Sequence, residues 1–188
     1  MGAHQSQLLA NKEDQAASLD SLSRDVGLTN EELTRALIRF RRLDADGSGA
    51  VDHEEFAAVA GVSTNPLARR IIQVLDADGG GDVDFAEFAR ALKIFSTRGT
   101  HLERLEFMFR VYDVDRDGFI SPGDLFRVLR TMVGDNLGPV QLQQLVDRAM
   151  ISGDHDGDGL INFEDFQKLL NSSGAAPEVL DQMTLALL

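Results

Sequence analysis

The sequence contains no cysteine, which excludes a disulfide framework, a thiol nucleophile and a cysteine-ligated zinc site. It has no apolar run of about 18 residues and no basic-then-apolar leader, so we expect a soluble protein that no signal peptide exports. Basic residues are scarce, with 18 Lys and Arg against 31 Asp and Glu and a formal net charge of -13. Such a chain is a poor partner for nucleic acid and a better one for cations or basic, apolar helices.

A repeated pattern organises the chain, whose 188 residues are 43% hydrophobic and suffice for one domain or two small lobes. Four twelve-residue segments, here called loops 1 to 4, align on a glycine at their sixth position. They read DADGSGAVDHEE from Asp44, DADGGGDVDFAE from Asp76, DVDRDGFISPGD from Asp113 and DHDGDGLINFED from Asp154. This self-similarity indicates that one structural unit occurs four times.

Segments with helical periodicity flank each loop. Before loop 1, for example, Leu33, Ala36 and Phe40 recur at the spacing of one helix face. Thr29 with Glu32 fits a capping box that would start this helix. The pattern therefore predicts an all-α fold of about eight helices in four helix-loop-helix units.

The eighth loop position is β-branched in all four copies, which favours one short antiparallel β contact between the paired loops of each half. These residues are Val51, Val83, Ile120 and Ile161. We expect two lobes, residues 29–96 and 100–171, each with two units. Residues 1–28 are expected to form a flexible N-terminal segment. Residues 172–188 form a tail that either makes a short amphipathic helix or frays.

The loops have the composition of calcium sites. Calcium takes about six to eight oxygen ligands, and the twelve-residue loop of an EF-hand supplies them from positions 1, 3, 5, 7, 9 and 12, with a backbone carbonyl at position 7. The predicted ligands of loops 1 and 2 are Asp44, Asp46, Ser48, the carbonyl of Ala50, Asp52 and Glu55, then Asp76, Asp78, the carbonyl of Asp82, Asp84 and Glu87. Those of loops 3 and 4 are Asp113, Asp115, Asp117, the carbonyl of Phe119, Ser121 and Asp124, then Asp154, Asp156, Asp158, the carbonyl of Leu160, Asn162 and Asp165. We therefore expect up to four Ca2+ ions, which would relieve the repulsion among these acids and stabilise both lobes.

Two departures from the pattern predict differences among the sites. Position 5 of loop 2 is Gly80, which has no side-chain oxygen, so a water would fill that vertex and loop 2 would bind calcium more weakly than loop 1. Loops 1 and 2 end in Glu, whereas loops 3 and 4 end in Asp124 and Asp165. Asp is one methylene shorter and would give one oxygen in place of two, which makes Mg2+ binding possible at these two sites. The alternative is that the exit helix moves closer and restores both oxygens.

Three longer stretches narrow the family. They are NPLARRIIQVLDADGGGDVDFAEF from Asn65, FRVYDVDRDGFISPGDLFRVLRTMVGDNLG from Phe109 and QLQQLVDRAM from Gln141. Together with the long gap before loop 4, they closely resemble the calcineurin B family, the regulatory subunits of a calcium- and calmodulin-dependent Ser/Thr protein phosphatase. The resemblance covers about residues 28 to 173.

This resemblance implies a non-catalytic subunit whose two lobes form one apolar groove around a helix of a catalytic subunit, in a heterodimer. It also implies a second surface near residues 132–137, used by immunophilin–drug complexes and docking peptides. The partner-binding residues there are Met132, Val133, Asn136 and Leu137. Family members normally end all four loops in Glu, so the terminal aspartates of loops 3 and 4 depart from the family as well.

The alternative function is a calcineurin B homologous protein, or another myristoylated calcium sensor, that regulates a membrane exchanger, channel or kinase. Relatives of the exchanger type tend to have degraded first-half loops, whereas loop 1 here is the most complete, which favours the phosphatase subunit. A calcium buffer would need neither the groove nor an acylation signal. No enzyme is expected, because the four histidines form no constellation and no catalytic or zinc spacing is present.

The first residues, MGAHQS, fit the N-myristoylation pattern, with Gly2 as the acceptor and Ser6 four residues on. The family resemblance supports this, because its members are typically myristoylated. One acyl chain binds membranes only marginally, and the first 28 residues contain only Lys12 and Arg24 as basic residues. We therefore expect a cytoplasmic protein whose association with membranes is limited to weak or reversible contact.

Overall fold

The computed structural model describes residues 18–58 and 66–173. Gly2, the expected acylation site, and residues 174–188, most of the expected tail, lie outside the described residues. Within the described ranges, no helix is long and apolar enough to cross a lipid bilayer.

The first half contains two helix-loop-helix units preceded by a further helix. The predicted capping box is present, since Thr29 Oγ1 accepts from the Glu32 amide at 3.3 Å and Glu32 Oε2 accepts from the Thr29 amide at 2.8 Å. The elements are α1 (residues 18–26), α2 (Asn30–Leu43), β1 (Ala50–Val51), α3 (His53–Ala57), α4 (Ala68–Leu75), β2 (Val83–Asp84) and α5 (Phe85–Phe95).

The second half repeats the arrangement of two helix-loop-helix units. Pro122 and Pro139 occupy the first positions of their helices, where a missing amide hydrogen costs no hydrogen bond. The elements are α6 (His101–Tyr112), α7 (Pro122–Val133), a 3-10 turn (Gly134–Asn136), α8 (Pro139–Gly153) and α9 (Phe163–Ser173).

The two predicted β contacts are both present. Val51 pairs with Val83 in the antiparallel register of β1 and β2. In the second half, the amides and carbonyls of Ile120 and Ile161 exchange hydrogen bonds of 2.8 and 3.0 Å. The all-α fold with paired EF-hand loops is thereby confirmed, and each pair holds its two loops side by side.

Each half encloses an apolar core, and α6 contributes to both. Its Phe107 and Val111 belong to the first core, together with Phe95, whose ring lies 5.0 Å from that of Phe107 in a T-shaped arrangement. Met108 and Phe109 belong to the second core. The two halves are thus packed on opposite faces of one helix.

The N-terminal boundary differs from the expectation of a flexible segment that extends to residue 28. The chain is helical from residue 18, and both Val26 and Leu28 are buried. They pack in a small apolar cluster with Leu33 of α2 and Ala89 of α5. Burying these side chains removes apolar surface from water, so α1 belongs to the first half and the expectation is wrong for this part of the segment.

The connection between the halves, residues 96–100, packs closely against the end of α5. Arg104 Nε donates to Ile94 O at 3.1 Å, and Arg104 Nη2 donates to Ser96 O at 2.9 Å. A Cβ atom on Gly99 would lie 1.8 Å from Ile94 O. Only glycine therefore permits this close approach between the connection and the end of α5.

An ion pair joins α5 to α6 across the connection. Lys93 pairs with Glu103, whose Oε2 also accepts from the Thr100 amide at 2.7 Å. The hydrogen bond from Lys93 and then that from Thr100 lower the pKa of Glu103 from 4.5 to about 2. Because the folded pKa lies below the unfolded one, the stabilisation is complete above pH 4.5 and is lost as pH falls through about 2.

We expect Glu103→Gln to lower the melting temperature of the metal-free protein by about 1–3 °C at neutral pH, a small effect because the pair is partly exposed to solvent. The difference from wild type should shrink between pH 4.5 and about 2. Thermal melts followed by circular dichroism would measure it. Glu106→Gln on the same helix is the control, since within the described residues Glu106 has no ion pair. A difference that stays constant over this pH range would contradict the assignment.

Candidate metal centres

Positions 1 and 6 make the same contact in every loop. The amide of the glycine at position 6 donates to a carboxylate oxygen of the aspartate at position 1 and closes the loop around it. The N–O distances are 3.1 Å for Gly49 and Asp44, 2.8 Å for Gly81 and Asp76, 3.1 Å for Gly118 and Asp113, and 2.8 Å for Gly159 and Asp154. All four glycines have φ between 87° and 98°. L side chains are strained in that region, which explains the glycine at this position.

The turn brings the predicted acidic ligands together in four groups. Within each group, carboxylate oxygens lie within 4.8 Å of one another. The groups are Asp44, Asp46 and Glu55; Asp76, Asp78 and Glu87; Asp113, Asp115 and Asp117; and Asp154, Asp156 and Asp158. Position 12 belongs to the group in loops 1 and 2, whereas the groups of loops 3 and 4 consist of positions 1, 3 and 5.

Position 12 also caps the exit helix. In loop 1, Asp52 Oδ1 accepts from the Glu55 amide at 2.8 Å, and Glu55 Oε2 accepts from the Asp52 amide at 3.2 Å. The other oxygen, Glu55 Oε1, accepts from the Ala45 amide at 2.8 Å, at the entrance of the loop. Loop 2 repeats this arrangement with Asp84 and Glu87. A glutamate is therefore long enough to span the loop from its exit helix to its entrance.

The shorter aspartates of loops 3 and 4 do not span the loop in this way. Asp124 Oδ2 accepts from Ser121 N at 3.1 Å and from Ser121 Oγ at 2.5 Å, which completes the cap of α7. Asn162 Oδ1 accepts from the Asp165 amide at 3.0 Å. Within the described residues, the remaining oxygens Asp124 Oδ1 and Asp165 Oδ2 are buried without a hydrogen-bond partner.

Such oxygens indicate a cation. The side chain of Asp124 is fully buried and that of Asp165 is 3% exposed, and a buried carboxylate oxygen that accepts no hydrogen bond is costly. Asp113 Oδ1, at position 1 of loop 3, is buried without a partner among the described residues as well. Oxygen ligands only, with carboxylates in the majority, are what the hard cations Ca2+ and Mg2+ require. The residues present therefore fit such an ion.

The pKa values of the position-1 aspartates shift in opposite directions in loops 2 and 3. Burial raises the pKa of Asp76, but hydrogen bonds from the amides of Gly81, Gly79 and Gly80 outweigh it and lower the pKa below its ordinary value. For Asp113, burial dominates and raises the pKa. The fold thus favours the ionised form of Asp76 through backbone amides, whereas burial disfavours the ionised form of Asp113.

Loop 2 also shows the consequence of a missing side chain. The amide of Gly80 donates to Asp78 Oδ1 at 2.8 Å and to Asp76 Oδ1 at 3.0 Å, so position 5 contributes a donor and no side-chain acceptor. In loop 1, position 5 is Ser48, whose Oγ lies 3.4 Å from Asp44 Oδ1 and faces the same group. Position 5 of loop 2 therefore offers one side-chain oxygen fewer than position 5 of loop 1, and weaker calcium binding by loop 2 stays a prediction.

The carbonyl ligands predicted at position 7 lie directly before the β-contact residues at position 8. The pairing of the loops therefore holds the backbone at position 7 in place. These residues are Ala50, Asp82, Phe119 and Leu160.

Sequence reasoning missed three residues near the groups. Arg116, at position 4 of loop 3, has φ 61°, a left-handed conformation that costs a non-glycine residue about 1–2 kcal/mol. The other loops have glycine at this position, so the aligned loops carried the signal. His155 Nδ1 lies 3.6 Å from Asp165 Oδ1, and Arg127 Nη1 lies 3.6 Å from Asp124 Oδ1. The i,i+3 spacing of Asp124 and Arg127 on one helix could have indicated their contact, whereas nothing in the spacing marks the contact of His155 with Asp165.

Comparisons with known proteins agree with this geometry. The EF-hand domain pair family matches residues 102–170, and an EF-hand family matches residues 37–60. Calcineurin B of Kluyveromyces lactis is 49% identical over 89% of this chain and 93% of its own length. Calcineurin B of Schizosaccharomyces pombe is 44% identical over 92% and 97% of the two chains. The chain belongs to the calcineurin B family. A type 1 calcineurin B of Dictyostelium discoideum is 41% identical over 92% of this chain and 93% of its own length.

Membership of the calcineurin B family settles the broad function. The chain is a calcium-binding EF-hand regulatory subunit and not an enzyme. These relatives are named as subunits of calcineurin.

The residues expected to bind further partners lie together at the end of α7. Met132 is 43% exposed and Asn136 is exposed, whereas Val133 and Leu137 are half-buried. Arg130 holds this turn, since its Nη1 donates to Leu137 O at 3.2 Å.

Proposed function

We propose that the chain binds a helix of a calcineurin-type catalytic subunit in an apolar groove and makes that phosphatase responsive to calcium. The observation that carries this proposal is that carboxylate groups and apolar cores share the same helices. The second core is edged by side chains that are only partly buried, among them Phe126 and Leu129 of α7. Leu102, at the start of α6, is 49% exposed. Apolar surface of this kind favours an amphipathic helix as partner.

A pull-down tests the proposed binding of a catalytic subunit. The full-length protein captures partners from native extract in the presence of calcium, and the eluate is assayed for phosphatase activity. We expect phosphatase activity in the eluate with calcium and a loss of activity when a chelator is added. Recovery of an exchanger, channel or kinase without phosphatase activity would instead support the alternative of a myristoylated sensor for a membrane protein.

The turn at the end of α7 is proposed as a second partner surface, for immunophilin–drug complexes and docking peptides. Met132→Glu should abolish their binding while phosphatase recovery is retained, because it places a charge on an exposed apolar side chain. Val140→Glu is the matched control, since Val140 is 72% exposed at the start of α8. Equal binding by both variants would contradict the assignment.

The proposed metal content is four Ca2+ ions, with Mg2+ able to compete in loops 3 and 4. Support comes from Asp124 and Asp165, which stand outside the carboxylate groups of their loops. Each also keeps one buried oxygen free of hydrogen bonds from the described residues. A single oxygen from position 12 favours the six-coordinate geometry of Mg2+, whereas a glutamate that gives two favours Ca2+. We also propose that loop 2 binds Ca2+ more weakly than loop 1, because position 5 gives no side-chain oxygen.

Calcium titrations with and without millimolar Mg2+ test the metal assignment. In wild type, Mg2+ should weaken calcium binding at loops 3 and 4 by roughly tenfold, the equivalent of about 1.4 kcal/mol. The double variant Asp124→Glu and Asp165→Glu should be much less affected. Loops 1 and 2 serve as internal controls in the same titration. An unchanged second-half affinity of wild type in Mg2+ would rule out the competition.

We further propose that Gly2 carries a myristoyl group and that the protein is cytoplasmic with weak, reversible membrane contact. The support is the MGAHQS pattern and the shortage of basic residues beside it. Mass spectrometry of the N-terminus of the protein from its native source should show the added acyl mass. A free or acetylated Gly2 would refute the proposal.

A further inference from the structure

Arg70 reaches from the first half to the helix that enters loop 3. It lies on α4, and its Nη2 donates to Arg110 O at 2.7 Å and to Asp113 O at 2.5 Å. Its Nε donates to Val111 O at 3.1 Å. These carbonyls end α6, where the helix has no amide partners of its own and where its dipole favours a cation. Arg70 therefore caps α6 at the residue that supplies position 1 of loop 3.

Arg116 makes the reciprocal contact from the second half. It occupies position 4 of loop 3, and its Nη2 donates to Gln73 O and, at 3.4 Å, to Asp76 O. These two carbonyls end α4, and Asp76 supplies position 1 of loop 2. Each arginine therefore caps the helix that enters the other half's inner loop.

The backbone at Arg116 is an independent indication that this side chain matters. Position 4 is glycine in the other three loops, and those glycines have φ of 74°, 80° and 79°. Arg116 holds the same left-handed turn at φ 61°, a conformation that glycine would adopt without strain. Hydrogen bonds to α4 offset this strain.

We propose that Arg70 and Arg116 are positioning residues that make calcium binding at loops 2 and 3 cooperative. The inference rests on the proposed occupancy of both loops. An ion in loop 3 fixes the turn at Arg116, which then holds the end of α4 and orients Asp76. An ion in loop 2 fixes α4, from which Arg70 holds the end of α6 and orients Asp113. Linkage requires the two loops to raise each other's affinity by the same factor.

The coupling is measured by disabling one loop and titrating the other in the full-length chain. Asp78→Ala disables loop 2 and Asp115→Ala disables loop 3. Both residues are exposed, and the acceptors of Arg70 and Arg116 towards the other half are backbone carbonyls of other residues. Chelator-buffered calcium titrations followed by NMR would report loop 2 through the amide of Gly81 and loop 3 through that of Gly118.

In the wild-type background, disabling either loop should weaken the calcium affinity of the other by about fivefold or more. In the double variant Arg70→Lys and Arg116→Lys, both factors should fall close to one, because lysine keeps the charge but cannot bond several carbonyls with one planar group. Arg35→Lys and Arg148→Lys are the matched controls and should keep the coupling. Within the described residues, Arg35 pairs only inside its own helix and the Arg148 side chain has no hydrogen bond.

A second variant, Arg116→Gly, removes the contact and relieves the strained turn, so it should fold at least as well and still lose the coupling. Loops 1 and 4, followed through Gly49 and Gly159, report whether each variant is folded. Coupling that survives in Arg116→Gly and in the lysine variant would overturn the role of the arginines. Loops 2 and 3 that bind calcium independently in wild type would overturn the cooperativity, whereas a wild type in which either loop binds no calcium would overturn the proposed occupancy as well.

Discussion

The structure depends on the carboxylate at position 12, which in loops 1 to 3 caps the exit helix with the same side chain that the EF-hand pattern uses as an ion ligand. Its backbone lies in the first turn of the exit helix. In loops 1 to 3, one of its carboxylate oxygens accepts a hydrogen bond from the backbone amide at position 9. Only its other oxygen remains for the loop interior. The direction of the exit helix and the geometry of the ion site therefore cannot vary separately.

This constraint explains why the two halves differ. In loops 1 and 2 the glutamate bonds the exit helix and the loop entrance together, so the loop is internally satisfied by its own amides. In loop 3 the aspartate bonds only the exit-helix end, and in loop 4 it bonds Asn162 only through its backbone amide. Each aspartate keeps a buried oxygen without a hydrogen bond from the described residues. The second half consequently depends more on a cation to compensate its buried charge, and the first half depends less.

Much of the fold followed from the sequence, because the loop pattern fixes local geometry. Glycine at position 6, the β-branched residue at position 8 and the capping box at Thr29 each correspond to a short-range contact, and all were confirmed. Residues far apart in the chain were harder to predict. The burial of Val26 and Leu28 depends on a gap beside α2 and α5 that no local pattern reveals.

The same limit applied to the metal centres. The acids were predictable from spacing, since a twelve-residue loop must converge its alternate side chains. The arginines that connect the halves were not, because the acceptors of Arg70 and Arg116 are backbone carbonyls, which every residue has. A sequence shows an unusual residue type, such as arginine among glycines, but not the carbonyl it will meet.

Helix α6, which places Phe107 in one core and Phe109 in the other, has a consequence for how the protein can be divided. A cut at residues 96–100 would give a first fragment whose core lacks two side chains and a second fragment that exposes them to water. The two EF-hand pairs are therefore not interchangeable modules. An exchange of halves between relatives would preserve folding only if the boundary kept α6 together with both of its neighbours.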